Sequence, residues 1–166
     1  MRKIRLTAVV VGLALAAIPM SAPSSTAGTA MESHCLTMKN RWFPDGNFTA
    51  YADTFCYNPI GWGPGDDPNW SDNSGDFRTT DGSSAMSVLN TGWGAEADVV
   101  AVYDYANYDF AGGYRCLGTG DWESDLSNFR FVDPNGNPKG PMARAISSHQ
   151  WVYSSGCAAA SWIGLP

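Results

Sequence analysis

Laid over itself at a shift of sixty residues, the sequence repeats: Cys56 falls on Cys116 and Trp62 on Trp122. Ala85 and Ser87 fall on Ala145 and Ser147, Asn47 on Asn107, and Phe43 and Phe48 on Tyr103 and Tyr108. Met86 faces Ile146, and Trp93 faces Tyr153. Cysteine and tryptophan are rare, so two coincidences among them outweigh accidental alignment in an aromatic-rich chain. Such a chain is expected to fold as two related units, about residues 35–93 and 95–157, that stack to bury a common core. At 166 residues the whole suits one domain.

Each unit reads as short strands. Val99-Val100-Ala101-Val102-Tyr103 is a β-branched run between Gly94 and Asn107. Gly112-Gly113 then turns the chain into Tyr114–Leu117, because glycine takes the positive φ of a tight hairpin turn. Further strands are expected at 128–132 and 145–153, either side of the turn-rich stretch Asp133–Pro138. In the first unit the candidates are 36–41, 51–57, 76–80 and 85–90. Four strands per unit, twice over, with 18 glycines and 13% aromatic residues, point to an all-β sandwich of two Greek keys. The one plainly helical pattern is N-terminal.

That pattern reads as a secretory leader over residues 1–30. Arg2, Lys3 and Arg5 precede an apolar run from Ala8 to Ile18, and small residues follow Pro19. Cleavage is expected near Ala27 or Ala30, which leaves residues 31–166 as the exported domain. The run is shorter than the ~20 residues of a membrane span. All sixteen acidic residues lie at Glu32 or later, and seven of the ten basic residues remain after leader removal, a net charge of −9. With no basic patch, so acidic a chain is repelled by nucleic acids and by anionic membrane surfaces, and neither is expected as a partner. Cys35, Cys56, Cys116 and Cys157 all fall in the exported part. An even count in a small secreted domain implies two disulfides, with three pairings open. No close Cys/His spacing suggests a metal; His34 beside Cys35 is the sole adjacent pair.

Tyr105-Ala-Asn-Tyr-Asp-Phe110-Ala-Gly112 resembles the aromatic-x4-aromatic-x-Gly signature of the βγ-crystallin Greek key. With Asp125-Leu126 and Ala145-Ile-Ser147, the stretch Val102–Tyr114 is similar to a secreted actinobacterial group of that fold, peptidase inhibitor family I36. The resemblance is good over 98–152 and looser over 35–93, where Phe43-x4-Phe48 keeps the aromatic spacing. Ala50 stands there at the glycine position, and Gly46 is expected to serve the turn instead. The resemblance implies a disulfide-stapled βγ-crystallin-like sandwich and inhibition of an extracellular protease, a metalloprotease above all. By repeat symmetry, Cys35 is paired with Cys56 and Cys116 with Cys157.

Catalysis finds little support, and a non-enzyme is expected. His149 follows Ser147-Ser148, but neighbours on a strand point to opposite faces, so a nucleophile and its base do not meet. The calcium motif that the crystallin resemblance suggests is degenerate: 82–87 and 142–147 lack the acidic pair, and calcium needs six to eight oxygen ligands. The cluster Asp66, Asp67, Asp72, Asn73 and Asp76 would offer calcium ligands if its loop folded back, but reads as a solvated acidic loop; no cofactor and no metal is assigned, with calcium kept as the alternative.

An inhibitor needs a rigid segment that enters a cleft, since rigidity lowers the ordering cost of binding. Two segments place an apolar residue just after a cysteine: Cys56-Tyr57 through Trp62, and Cys116-Leu117. The first runs into the long loop 61–76, a length often associated with function. The alternative is a non-catalytic module for cell-wall or other glycans. Trp62, Trp70 and Trp93 lie in Gly-rich or polar surroundings and are expected to present exposed rings, although a sandwich core also takes large aromatics.

Overall fold

The structure, a computed structural model, describes residues 26–78, 81–94 and 97–164. Most of the expected leader, residues 1–25, lies outside the described residues. Both expected cleavage points fall within helix α1 (Thr26–Trp42). Among the described residues no helix is long and apolar enough to cross a membrane.

The helix corrects the strand expected at 36–41. Its residues are of mixed helix propensity, with Lys39 and Arg41 favourably placed in the last turn. One face is pinned down: Cys35 is buried and bonded to Cys56, and Met38, one turn on, packs on the cluster of Tyr51, Cys56 and Leu89. Tertiary anchoring of two positions at i and i+3 decides a segment whose own pattern is weakly amphipathic.

Among the described residues, all remaining regular structure is β or short 3-10 turns. One sheet joins β1 (Phe48–Tyr51), β2 (Pro59–Gly63), β3 (Ser87–Asn90) and β6 (Trp122–Glu123) in the order β2-β1-β3-β6. The other joins β4 (Val99–Tyr103), β5 (Tyr114–Leu117), β7 (Arg130–Val132), β8 (Pro138–Pro141) and β9 (Ser148–Val152) in the order β8-β7-β5-β4-β9. The short β10 (Trp162–Ile163) lies parallel to the second half of β5. Alternation sets the faces. Phe48 and Ala50 of β1 and Val100 and Val102 of β4 point into the core between the sheets, with Leu117, Phe131 and Ile146. Val99, Ala101 and Tyr103 point outward, yet are buried against Tyr114, Cys116 and the C-terminal segment.

The two halves exchange one strand. β6, from the second half, pairs with β3 of the first, while Asp67, from the first half, bridges His149 on β9 of the second. The equivalence holds bond by bond. Met86 N–H donates to Tyr51 O at 2.8 Å as Ser147 N–H does to Tyr103 O at 2.9 Å. Leu126 N–H donates to Met86 O and Trp70 N–H to Ser147 O, both at 2.9 Å. Ser87 Oγ–H donates to Asp53 O, and Ser148 Oγ–H to Tyr105 O, both at 2.7 Å. In return each Oγ accepts a backbone N–H, from Cys56 and from Tyr108 respectively. Cys56 and Tyr108 also share a positive φ, 61° and 60°.

These bonds revise the repeat. Cys56 corresponds to Tyr108, a shift of 52, and Ser87 to Ser148, a shift of 61. A uniform sixty is therefore a compromise between unequal loops. It misaligns Cys56 with Cys116, and Phe43 and Phe48 with Tyr103 and Tyr108. Both disulfides, Cys35–Cys56 and Cys116–Cys157, join the expected pairs, but they are not symmetry mates. They are alike in what they hold, since each ties one end of the chain over the outer face of one sheet. α1 lies over the first sheet, and the segment around Cys157 and Ala158 lies over the second.

Candidate functional site

The register of β1 and β2 places Trp62 opposite Thr49, on the outer face of the first sheet. Gly61 and Gly63, on either side, face inward; a Cβ at Gly61 would lie 2.4 Å from the Phe77 ring, so only glycine lets the strand lie this close. Trp62 is left 62% exposed on the outermost strand. The helix covers Leu89 and Trp122 at the opposite side of the same face, with Lys39 Nζ 5.3 Å from the centre of the Trp122 ring.

Between the helix and Trp62 a groove of about 330 Å³ remains open. Trp62, Trp42, Met38 and Pro59 form its apolar walls, and the outward side chains Thr49 and Tyr51 form its floor. Asp45 and Asn47 close one end. Asp45 Oδ1 is fixed by two donors, Thr91 Oγ1–H at 2.6 Å and Asn47 N–H at 3.1 Å. Burial, helped by the nearby Asp45 carboxylate, pushes the Tyr51 hydroxyl up to about 12, so it stays protonated and available as a donor at any ordinary pH. The Arg41 guanidinium sits 4.9 Å from the centre of the Trp42 ring, a cation–π contact that holds the ring in place. Two indoles, a hydroxyl pair and a fixed carboxylate are a set suited to a ring with polar edges.

The other expected site residues divide. Leu117 and Cys116 are fully buried in β5, paired with β4 on one side and β10 on the other. This corrects their candidacy as inhibitory residues, since a strand held on both edges cannot enter a protease cleft. Cys56 is buried as well. Tyr57 is different: it stands 41% exposed beside the Cys35–Cys56 bond, and its ring stacks on His34 at 3.9 Å. The His34 ring is itself bonded through Nδ1 to Phe55 O at 3.0 Å. Asn58, next in the chain, has a φ of 55° and donates from its side chain to Asp53. The turn is thus braced on three sides.

The loop 61–76 is anchored inward at Asp67 and Trp70, and its last residues, 71–76, lie mostly exposed. Trp70, expected as an exposed ring, is fully buried and stacks on Phe77 at 4.1 Å. Its Nε1–H donates to His149 Nδ1 at 2.9 Å, and His149 Nε2–H in turn donates to Gly65 O at 2.9 Å. Both ring nitrogens of His149 are therefore used inside the core, and burial lowers its pKa to about 4. Of the acidic loop, Asp67 is buried as an internal cap, accepting from Asn69 N–H and Phe77 N–H. Among the described residues no three carboxylates, histidines or cysteines stand together as a metal site. Trp42 and Met38 were missed as groove residues because their segment reads as a strand; their i, i+4 spacing is the signal that marks them as one helix face.

No protein-family model and no curated protein matches the chain. Among solved structures, a chain described as "Evolution of the eye lens beta-gamma-crystallin domain fold" matches at 16% identity and a TM-score of 0.44, covering 65% of this chain and 86% of that one.

Proposed function

We propose that this is an exported, non-catalytic binding module for a glycan, such as a cell-wall polysaccharide, and that the groove between α1 and β2 is its binding surface. The observation that carries the reading is the exposed Trp62 ring facing Trp42 across a groove that ends in Asp45 and Asn47. Sugar rings present apolar faces to indoles and hydroxyl edges to carboxylates and amides. The chain's acidity favours a neutral glycan over an acidic one. The test is calorimetric titration with cellohexaose and hexa-N-acetylchitohexaose. Saturable binding that falls at least about tenfold in Trp62→Ala supports the reading; binding by neither sugar, or binding that Trp62→Ala leaves intact, sinks it.

A second reading keeps the family I36 resemblance and rests on Tyr57. A disulfide-braced turn with an exposed aromatic tip meets the rigidity that a protease inhibitor requires. Titration against a thermolysin-type metalloprotease, with a serine protease alongside, separates the two. Stoichiometric inhibition abolished by Tyr57→Ala and indifferent to Trp62→Ala would give this turn the function.

A further inference from the structure

A second cleft, of about 300 Å³, opens at one end of the sandwich, where the two sheets part. Trp93, 67% exposed, forms one wall and Trp151 of β9 another; Asp66, Ala97, Asp98, Pro64 and Gly46 complete it. The Trp151 indole Nε1–H is buried and, among the described residues, has no hydrogen-bond partner. A buried donor left unpaired costs roughly 1–3 kcal/mol, so a fold that keeps one beside a cleft is short of an acceptor there.

The walls are fixed in advance. Gly65 O accepts from His149 and Asp67 pairs with the same residue, which clamps Asp66 from both sides. The Asp66 carboxylate also accepts the Trp151 backbone N–H at 2.8 Å. Asp98 O accepts from Asn90 Nδ2–H at 2.8 Å and from Thr119 Oγ1–H at 2.7 Å. Trp93 lies directly against Gly46, where an added Cβ would stand 2.1 Å from the Trp93 Nε1 atom. A pre-formed site loses little freedom when it is filled.

We propose that this cleft is a second saccharide subsite, separate from the α1–β2 groove, that takes a single neutral sugar ring; it extends the glycan reading above and rests on it. The chemistry selects the class. Two indoles supply apolar faces, the Asp66 and Asp98 carboxylates favour hydroxyl donors over anions, and the Trp151 N–H calls for an acceptor. A cation would answer the carboxylates but leave the N–H unpaired, whereas an anion would answer the N–H and be repelled by Asp66 and Asp98. Hydroxyl groups both donate and accept, so a neutral sugar meets both demands. The turn Asp45-Gly46-Asn47 contributes to both sites, Asp45 and Asn47 to the groove and Gly46 to the cleft.

The test is a titration of ¹⁵N-labelled protein with cellohexaose and hexa-N-acetylchitohexaose, reading the tryptophan indole N–H resonances assigned with Phe variants. The expected result is a saturable shift of the Trp93 and Trp151 signals, weakened about tenfold in Trp93→Ala and in Trp151→Phe, with the Trp62 signal responding as in the parent. Trp151→Phe removes the unpaired N–H but keeps an aromatic ring, so it is expected to unfold no more easily than the parent; Trp93→Ala alters only an exposed ring and decides the same point if Trp151→Phe fails to fold. Shifts confined to Trp62 and Trp42 would overturn the cleft and leave the groove standing. Shifts confined to Trp93 and Trp151 would support the cleft and overturn the groove. Unmoved indole signals at millimolar sugar would overturn both.

Discussion

Trp62 and Cys116 hold the same place in the two sheets. Trp62 faces Thr49 across the first hairpin, Cys116 faces Ala101 across the second, and the correspondence of Tyr51 with Tyr103 makes the positions equivalent. One is a largely exposed ring on the wall of the candidate groove, while the other is sealed beneath the C-terminal segment. The difference lies in where each staple is anchored. Cys116 sits on a strand flanked on both sides, so its bond to Cys157 draws the chain end across the middle of the sheet. Cys56 sits in the turn after β1, so its bond to Cys35 draws α1 toward β3 and β6 and leaves the β2 side bare. A groove arises where a covering segment is fixed off-centre.

Removing the staples breaks the comparison most severely. Loop-closure entropy predicts a loss of about 4 kcal/mol for the Cys116–Cys157 bond and about 3 kcal/mol for Cys35–Cys56, given sequence separations of 41 and 21. Denaturant unfolding of the paired alanine variants reads both losses. Only the Cys35/Cys56 variant is expected to lose sugar binding at the groove; equal loss in both would contradict the separate roles of the two bonds. Leu117→Ala is expected to cost about 2–5 kcal/mol as a core cavity, and a cost below about 1 kcal/mol would return Leu117 to the surface.

Acid sharpens the contrast between halves. The counterpart of His149 is Val88, one residue beyond the equivalent serines in each strand. His149 is neutral in the folded protein with a pKa near 4, against an ordinary value of 6.5. The unfolded chain therefore binds a proton first as pH falls, and the contribution of His149 to stability drops between pH 6.5 and 4, by on the order of 3 kcal/mol. Unfolding midpoints measured across that window check the slope. His149→Val makes the second half like the first: it is expected to remove the slope and to cost about 1–3 kcal/mol at neutral pH by stranding the Trp70 N–H. The smallest effect belongs to Trp62→Ala, expected within about 0.5 kcal/mol of the parent in stability. A large destabilisation would show that the ring is a packing element and not a platform.

Much of the sandwich was legible in the residues. The run Val99–Tyr103 became β4 because β-branched side chains fit a strand buried on both faces, and Gly113, with a φ of 95°, turns the hairpin as its residue type suggests. The first half was harder to read. Its third strand is reduced to one bridge at Asp67, too short to carry any period, so Trp70 among Pro68, Asn69 and Ser71 looks like a surface ring. The turn in fact directs the indole inward. α1 was hard to see because what holds it is a disulfide and a patch on a distant sheet, and the spacing of Cys35, Met38 and Trp42 is only a faint periodic trace. The cysteine pairs followed from a symmetry that the fold does not possess at those positions; the chain-end tethers account for them instead. The groove inherits both misreadings, since one wall is the helix and the other the uncovered edge.

The exchanged strand carries a consequence for how such a chain can change over generations. Each half lends the other a strand, so deleting either copy of the duplicated unit would leave its partner with an open edge and an unfinished core. Loops stay free to vary, as their unequal lengths attest, but the duplication itself cannot be undone piecemeal.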